Sequence, residues 1–401
     1  MKICYVTART PFGLAEAFIL TEIVEVKLQG INILVVPRST DCEVFHEDAK
    51  QIQKYSLRLP LISLNITAHF LVSFATKLRT WKILAEILVK SGKFSSLVKN
   101  LAVLPKGIFI ASMIKKNDIN HIHAHWGTTP STMAYVASQM SDIPWSLTLH
   151  RWDIKENNLL ETKIKSAVFA RCISEHGKKE LEVLLGNKCR SKIKLLHAGV
   201  KIPNFVNKPK CRNIFSIVTP AHFYDVKGHQ YLIEACQILV KKNIHNFHCT
   251  FFGEGPLMQD LKKIVSEKKL ECHVTIKNTI EHEKLLKMYK DGSVDAVILP
   301  SINTDKGEHE GIPVALMEAM AYKIPVIATN TGGISELLSG NAGRIVKEKN
   351  PEDLAMAIEN FMSNDFLYNQ YKENGYNKVE EQFNVCKNVK ALLNFMQEAV
   401  H

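Results

Sequence analysis

Two doubly wound α/β domains are predicted for this chain of 401 residues. Three observations carry the prediction. At about 150 residues per domain, the length suits two or three domains. Short apolar runs alternate with amphipathic helical stretches, the pattern of parallel sheets covered by helices. The alternation pauses at a polar segment with two prolines, Ile202-Pro203-Asn204-Phe205-Val206-Asn207-Lys208-Pro209-Lys210, and then restarts. Apolar residues make up 46% and charged residues 23% of the chain, a globular balance that excludes a disordered or collagen-like protein.

The elements follow in order. Ile3-Cys4-Tyr5-Val6 reads as a first buried strand that meets the loop Thr10-Pro11-Phe12-Gly13, not as a signal peptide with a long apolar core. Further strands are expected at 31–36, 119–123, 145–149, 171–173 and 193–196, with helices near 15–29, 130–140, 160–169 and 175–185. After the pause, strands are expected at 214–218, 247–252, 273–276, 295–299, 325–328 and 343–346. Helices should cover 229–242, 256–267, 281–290, 313–321, 333–339 and 351–362. The expected domains are 1–202 and 214–380, joined by a linker at 203–213, with a last helix in 381–401 packing back on the first domain. The two domains are expected to face each other across a cleft, because ligands of such sheets bind beyond the carboxyl ends of the strands.

No spanning helix is expected. The uncharged stretch from Leu59 to Thr76 is interrupted by Pro60, Ser63, Asn65, Thr67, His69 and Ser73, whereas a span wants about 20 mainly apolar residues. Nine scattered cysteines without a C-x-x-C pair suggest neither a disulfide framework nor a zinc ribbon, and fit a reduced, cytoplasmic compartment. The net charge is +11 and unevenly spread. Between residues 50 and 120 stand twelve Lys and Arg but only two acids, Glu86 and Asp118. Apolar residues such as Trp81, Ile83, Leu84, Ile87 and Leu88 lie between them at helical spacing. Ordinary solvated helix faces and a basic amphipathic surface resting on anionic lipid both fit. Nucleic acid is not expected as a partner, because no binding motif accompanies the charge.

The segment LPSINTDKGEHEGIPVALMEAMAYKIPVIATNTGG, residues 299–333, is the most informative. A strand ends at Leu299-Pro300-Ser301, and Pro313 stands where a helix can begin without losing a hydrogen bond. Glu310 lies just before that helix and Glu318 within it, about 12 Å apart at helical rise. Two carboxylates then flank a helix N-terminus whose N–H groups and dipole suit a phosphate. The backbone of Gly311, Ile312, Pro313 and Val314 would meet the diphosphate of a nucleotide sugar. Glu310 could accept from sugar hydroxyls and Glu318 from ribose hydroxyls.

The run E-G-I-P-V-A-L-M-E-A-M-A, followed by P-V-I-A-T and G-G-I-S-E-L, closely resembles the retaining glycosyltransferases of family 4, which have the GT-B fold and an E-x7-E motif. Phe252-Gly253-Glu254-Gly255-Pro256 is similar to the family's G-x-G-P turn, and Lys227-Gly228-His229 to its K-G-H, whose lysine contacts the donor diphosphate. His121-Ile122-His123-Ala124-His125-Trp126, and Thr148-Leu149-His150 with Asp153, resemble the H-A-H-W and H-x-x-D segments of bacterial exopolysaccharide- and colanic-acid-type members. Pro11 to Ile19 is similar to their P-x-x-S-E-T-F-I loop.

The resemblance implies a hexosyl transfer from a nucleotide-diphosphate sugar to a hydroxyl acceptor with retention. Glu310, His125 and Lys227 are its catalytic residues. Gly13, His222, Lys227 and Glu318 would hold the donor, and Gly13 has a physical logic, since a backbone without Cβ can approach the diphosphate closely. Glu16, His150 and Asp153 are sugar or acceptor candidates. Glu16 suits a helix N-terminus equally, and Asp153 a helix cap. His121 and His123 read as core histidines. The sequence departs from the family at Ala221-His222, where Gly-Arg is usual, and at Lys201, where Asp is common.

No D-x-D pair appears, so no cofactor and no essential metal are expected. The basic region suggests a lipid-linked glycan acceptor in surface polysaccharide synthesis, with the chain peripheral on the inner face of the cytoplasmic membrane. A soluble disaccharide synthase and a catalytically silent binding subunit are the alternatives.

Overall fold

The computed structural model describes residues 1–12, 16–40, 43, 47–204, 214–305 and 307–398. Gly13 and most of the expected linker lie outside them. The chain divides into two compact units, Met1–Ala198 with Val385–His401, and Gly199–Asn384.

The first unit begins with β1 (Lys2–Thr7), α1 (Ala17–Leu28) and β2 (Asn32–Pro37). Four helices follow: α2 (Glu47–Gln53), α3 (Leu64–Thr76), α4 (Leu78–Lys90) and α5 (Phe94–Lys116). The unit continues with β3 (His121–His125), α6 (Thr129–Ser141), β4 (Trp145–Leu149), α7 (Arg151–Glu156) and α8 (Leu160–Ser166). It then has β5 (Phe169–Cys172), α9 (Glu175–Leu185) and β6 (Ile193–Leu195). All six strands are parallel, in the order β2-β1-β3-β4-β5-β6. Helices cover both faces, so strands such as Ile3-Cys4-Tyr5-Val6 are buried throughout.

The second unit repeats the plan with β7 (Phe215–Pro220), α10 (His229–Lys241), β8 (Phe247–Phe252), α11 (Met258–Glu267), β9 (Val274–Lys277) and α12 (His282–Lys290). Its second half has β10 (Ala296–Leu299), α13 (Val314–Ala321), β11 (Val326–Thr329), α14 (Ile334–Leu337), β12 (Arg344–Val346), α15 (Pro351–Ser363) and α16 (Asp365–Gln382). The parallel order is β12-β11-β10-β7-β8-β9. The last helix, α17 (Val385–Gln397), belongs to the first unit, where Val385, Val389, Leu392 and Met396 pack with Ile3, Tyr5, Ile19 and Ile23.

Two expectations change. The boundary placed at 380 falls after Asn384, because α16 runs on to Gln382. That helix carries no apolar stripe that would announce it, burying only Gly375 and Val379. No spanning helix was expected, and the stretch at 59–76 holds only the shorter apolar helix α3. By length and composition α5 is long and apolar enough to cross a membrane, yet half of its apolar window is buried in the unit. Its polar residues are committed inside: Lys106 donates to the carbonyls of Pro37, Arg38 and Leu59 at 2.8–3.0 Å. Asn100 donates to Asn158 at 2.7 Å and accepts from Thr132 at 2.8 Å.

The basic stretch folds into α2 to α5. It exposes apolar side chains between its lysines, with Leu64 90%, Leu78 88%, Val89 81% and Phe94 80% exposed.

Candidate active site

In the second unit the chain proceeds from β7 outward to β9, then returns to β10 beside β7 and proceeds the other way. The carboxyl ends of β7 and β10 are therefore a topological switch point, where open α/β sheets bind ligands. Lys227 ends a 3-10 turn after β7, and Glu310 ends the loop after β10. The Lys227 Nζ donates to Glu310 Oε2 at 2.5 Å, and Ser301 Oγ donates to the same oxygen at 3.2 Å.

Two glycines hold this meeting. Gly228 has φ +62°, and a Cβ there would lie 2.1 Å from the Pro300 carbonyl oxygen. Gly332 has φ +53°, and its Cβ would lie 1.8 Å from the Glu310 carbonyl oxygen. Both loops thus rest on backbone that leaves no room for a methyl group. Gly228→Ala is expected to lower stability by about 1–3 kcal/mol, read by thermal unfolding. A variant with the wild-type melting temperature would show that the loop is not so held.

Pro313 caps α13 and its carbonyl accepts from the Leu316 and Met317 N–H groups at 3.2 Å, so the N–H groups ahead of them at the helix tip lie before the first intrahelical bond. Gly311 faces open space and Val314 is 36% exposed, so this helix tip is accessible, while Pro313 itself is buried and Ile312 partly buried. Glu318 accepts from His282 Nε2 at 2.7 Å. No signal in the sequence marks His282, which arrives from α12. His222 is exposed on the β7 loop, its ring edge-on to Tyr224 at 6.3 Å. His229, next to the Lys-Gly turn, is a core residue between Phe223 and Phe251, and burial lowers its pKa to about 3.

In the first unit the switch point lies between β1 and β3. Here Glu16 and Asp153, the sugar or acceptor candidates, are engaged within the unit. Glu16 is 6% exposed. Its Oε2 accepts from Arg9 N–H and Thr10 N–H at 2.7 Å and from Thr10 Oγ1 at 2.9 Å, and its Oε1 from Trp126 Nε1 at 2.5 Å. A carboxylate so saturated ties the β1 loop to the β3 loop. Trp126 itself has φ 90°, a conformation that costs energy and persists because its surroundings enforce it. Asp153 is 1% exposed and accepts from the His150 backbone N–H at 2.8 Å at the start of α7. Burial pushes its carboxyl up to about 7 and the neighbouring Lys163 down to about 7. Lys163 donates to the carbonyls of Gly127 and Thr128, both at 2.9 Å.

His125 is only 3% exposed. Its Nε2 is 2.8 Å from Nε2 of the half-buried His150. Desolvation holds His125 well below the ordinary histidine range and His150 at about 3, so both are neutral at physiological pH. His121 bonds Ser146, and His123 bonds Ser146 and Thr148, all at 2.8–2.9 Å.

Glu22, His123 and His125 bring ligand atoms within 4.8 Å of one another. The donor set suits a cation poorly. Arg171 holds one Glu22 oxygen, and both His123 nitrogens are engaged by hydroxyls.

Residues 201–378 match the family model of group 1 glycosyl transferases. The match falls within the second unit. WcaL of Escherichia coli, which carries the name of a colanic acid biosynthesis glycosyltransferase, is 32% identical over 200 residues, 49% of this chain and 48% of WcaL. The amylovoran biosynthesis glycosyltransferase AmsK of Erwinia amylovora is 37% identical over 143 residues, 35% of this chain and 34% of AmsK. The chain thus spans about half or less of the length of these curated relatives. In three dimensions, HepE of Anabaena in complex with UDP superposes with a TM-score of 0.72 at 14% identity, covering 99% of this chain and all of HepE. A glycosyltransferase of Rickettsia africae gives 0.68 at 19% identity, over 100% of this chain and 98% of that one. The fold is GT-B, and the unit that matches the family model holds Lys227 and Glu310 beside its switch point and Glu318 on α13.

Proposed function

We propose that the chain is a retaining glycosyltransferase of family 4 that moves a hexosyl group from a nucleotide-diphosphate sugar to a hydroxyl acceptor. The observation that carries this reading is the direct Lys227–Glu310 pair beside the accessible tip of α13, with Glu318 further along the same helix. The acceptor oxygen bonds to the anomeric carbon as the bond from that carbon to the β-phosphate oxygen breaks. The acceptor proton passes to the departing phosphate on the same face. Charge then grows on the phosphate oxygens, where Lys227 and the helix N–H groups stabilise it. Glu310 orients the sugar and supports positive character on its ring, and Glu318 accepts from the ribose. The HepE structures with UDP and UDP-glucose favour a nucleotide donor. Lysine and helix tip together neutralise the diphosphate, so no essential divalent metal is proposed, and transfer should survive EDTA.

The acceptor in this reading is a lipid-linked glycan for surface polysaccharide, reached by a peripheral enzyme on the cytoplasmic face of the membrane. The names of WcaL and AmsK favour such a pathway. The exposed apolar residues of α3 to α5, set among lysines, favour anionic lipid, where each Lys or Arg near the surface contributes about 1 kcal/mol. The test uses the whole chain with a panel of nucleotide sugars and a lipid-linked acceptor, and reads the anomeric configuration of the product by NMR. Retention is expected. An inverted product, or Mn²⁺-dependent activity abolished by EDTA, would contradict the chemistry. Unchanged sedimentation with anionic vesicles after neutralising Lys77, Arg79, Lys82, Lys90 and Lys93 would remove the membrane contact.

A further inference from the structure

We propose that the buried ion pair Glu22–Arg171 fixes the proton positions in the His125–His150 pair, which makes Glu22 and Arg171 positioning residues for sugar transfer. The positioning role rests on the transferase reading above; the proton assignment does not.

Glu22, on α1, and Arg171, on β5, are 7% and 1% exposed. Arg171 is held on three sides. Its Nη1 donates to Glu22 Oε2, its Nε to the Leu196 carbonyl at 2.7 Å and its Nη2 to the His197 carbonyl at 2.7 Å. The guanidinium therefore fixes the Glu22 carboxylate. The other oxygen, Oε1, faces His125 Nδ1 at 3.8 Å, and both atoms are buried without a hydrogen-bond partner.

A carboxylate oxygen offers only lone pairs, so the imidazole nitrogen facing it carries the proton. His125 is then the Nδ1–H tautomer, and its Nε2 must accept. His150 Nε2, 2.8 Å away, must donate. That leaves His150 Nδ1 bare, which agrees with the other end of the chain of bonds, where the Asp153 backbone N–H, donating to the His150 carbonyl at 3.0 Å, also faces the His150 ring in a capping box. A carboxylate at one end and a backbone donor at the other demand the same proton order.

The consequence is chemical. Every ring nitrogen of the pair faces a protein group, so neither imidazole has a lone pair or proton left for an acceptor hydroxyl. The pair is a rigid, neutral support rather than a general base. Trp126 packs on His150 with ring centroids 4.4 Å apart and Phe18 at 5.4 Å, so the proton order also sets the ring wall at the ends of β3 and β4.

Glu22→Gln reverses the order. Arg171 takes the amide oxygen, the amide NH2 faces His125 Nδ1, and that nitrogen must accept. The proton moves to His125 Nε2, and His150 is left with Nδ1–H against the Asp153 N–H, donor against donor. The experiment is ¹⁵N NMR of the histidine-labelled full chain, with His125 and His150 assigned by single replacements. In the wild-type protein, protonated Nδ1 on His125 and protonated Nε2 on His150 are expected. Glu22→Gln should invert both and slow transfer at least about tenfold, with nucleotide affinity unchanged. Glu22→Asp should keep the tautomers and recover much of the rate.

A wild-type His125 protonated at Nε2, or tautomers unmoved by Glu22→Gln, would overturn the assignment. Inverted tautomers with an unchanged rate would overturn the positioning role. The spectra need no substrate, so a failed transferase reading leaves the proton assignment to be judged alone.

Discussion

Glu310→Ala loses sugar transfer by about 10²–10³-fold while binding the nucleotide as well as, or better than, the wild-type protein. The two readouts part because of the ion pair. Lys227 donates to Glu310 at 2.5 Å, and both side chains are mostly buried, at 22% and 14% exposure. In the free protein the carboxylate therefore competes with any diphosphate for the ammonium. In the proposed mechanism, removing it releases the lysine to the anion and deletes the group that orients the sugar. Lys227→Ala should behave differently and lose both binding and transfer, because the compact charge that meets the leaving oxygens is gone. Calorimetry with a nucleoside diphosphate, beside turnover on a full substrate pair, separates the cases. Full activity in Glu310→Ala would remove the assignment, and parallel loss of binding in both variants would mean that the pair acts as one structural unit.

Acid is expected to unfold the first unit well before carboxylate titration alone would. Four of its histidines, at 121, 123, 125 and 150, are held neutral by burial, His121 and His150 with pKa values of about 3. Unfolding returns each to about 6.5. Between about 6.5 and 3 the unfolded chain binds more protons than the folded one, so stability falls as pH falls. Each fully displaced histidine contributes a slope of about 1.4 kcal/mol per pH unit in that window. Asp153 works the other way, since its carboxyl is raised to about 7 by burial and is protonated in the folded state across the same range. Four groups against one leave a net loss. Melting temperature followed from pH 7.5 to 5 should drop steadily, and a flat profile would show that these rings are solvated or paired otherwise than the structure places them.

Much of the fold is legible in the chain because its signals are local. The strands at 145–149 and 247–252 stand where their apolar runs are, since strands buried on both faces need no partner in sequence to be recognised. Helix α13 starts behind Pro313 because proline suits a first turn. Helix α16 escapes notice, as its burial is confined to two residues and leaves no period. Lys227, Glu310 and Glu318 are visible as candidates through short motifs around a strand end, a glycine turn and a helix start. Glu16 and Asp153 are visible as candidates too, but their partners are not, and the partners decide their roles.

By itself the sequence determined two parallel α/β units, the helix tip between two glutamates and the concentration of positive charge in 50–120. These depend on periodicity, turn chemistry and composition, which are properties of neighbouring residues. Only the tertiary structure decided that Lys227 pairs with Glu310 across 83 positions, that His282 reaches Glu318, and that Glu22 meets Arg171 across 149. Such contacts form where crossover helices bring distant strand ends side by side. Whether a buried carboxylate binds a ligand or a guanidinium depends on what stands within about 3 Å of it, and no stretch of chain carries that distance.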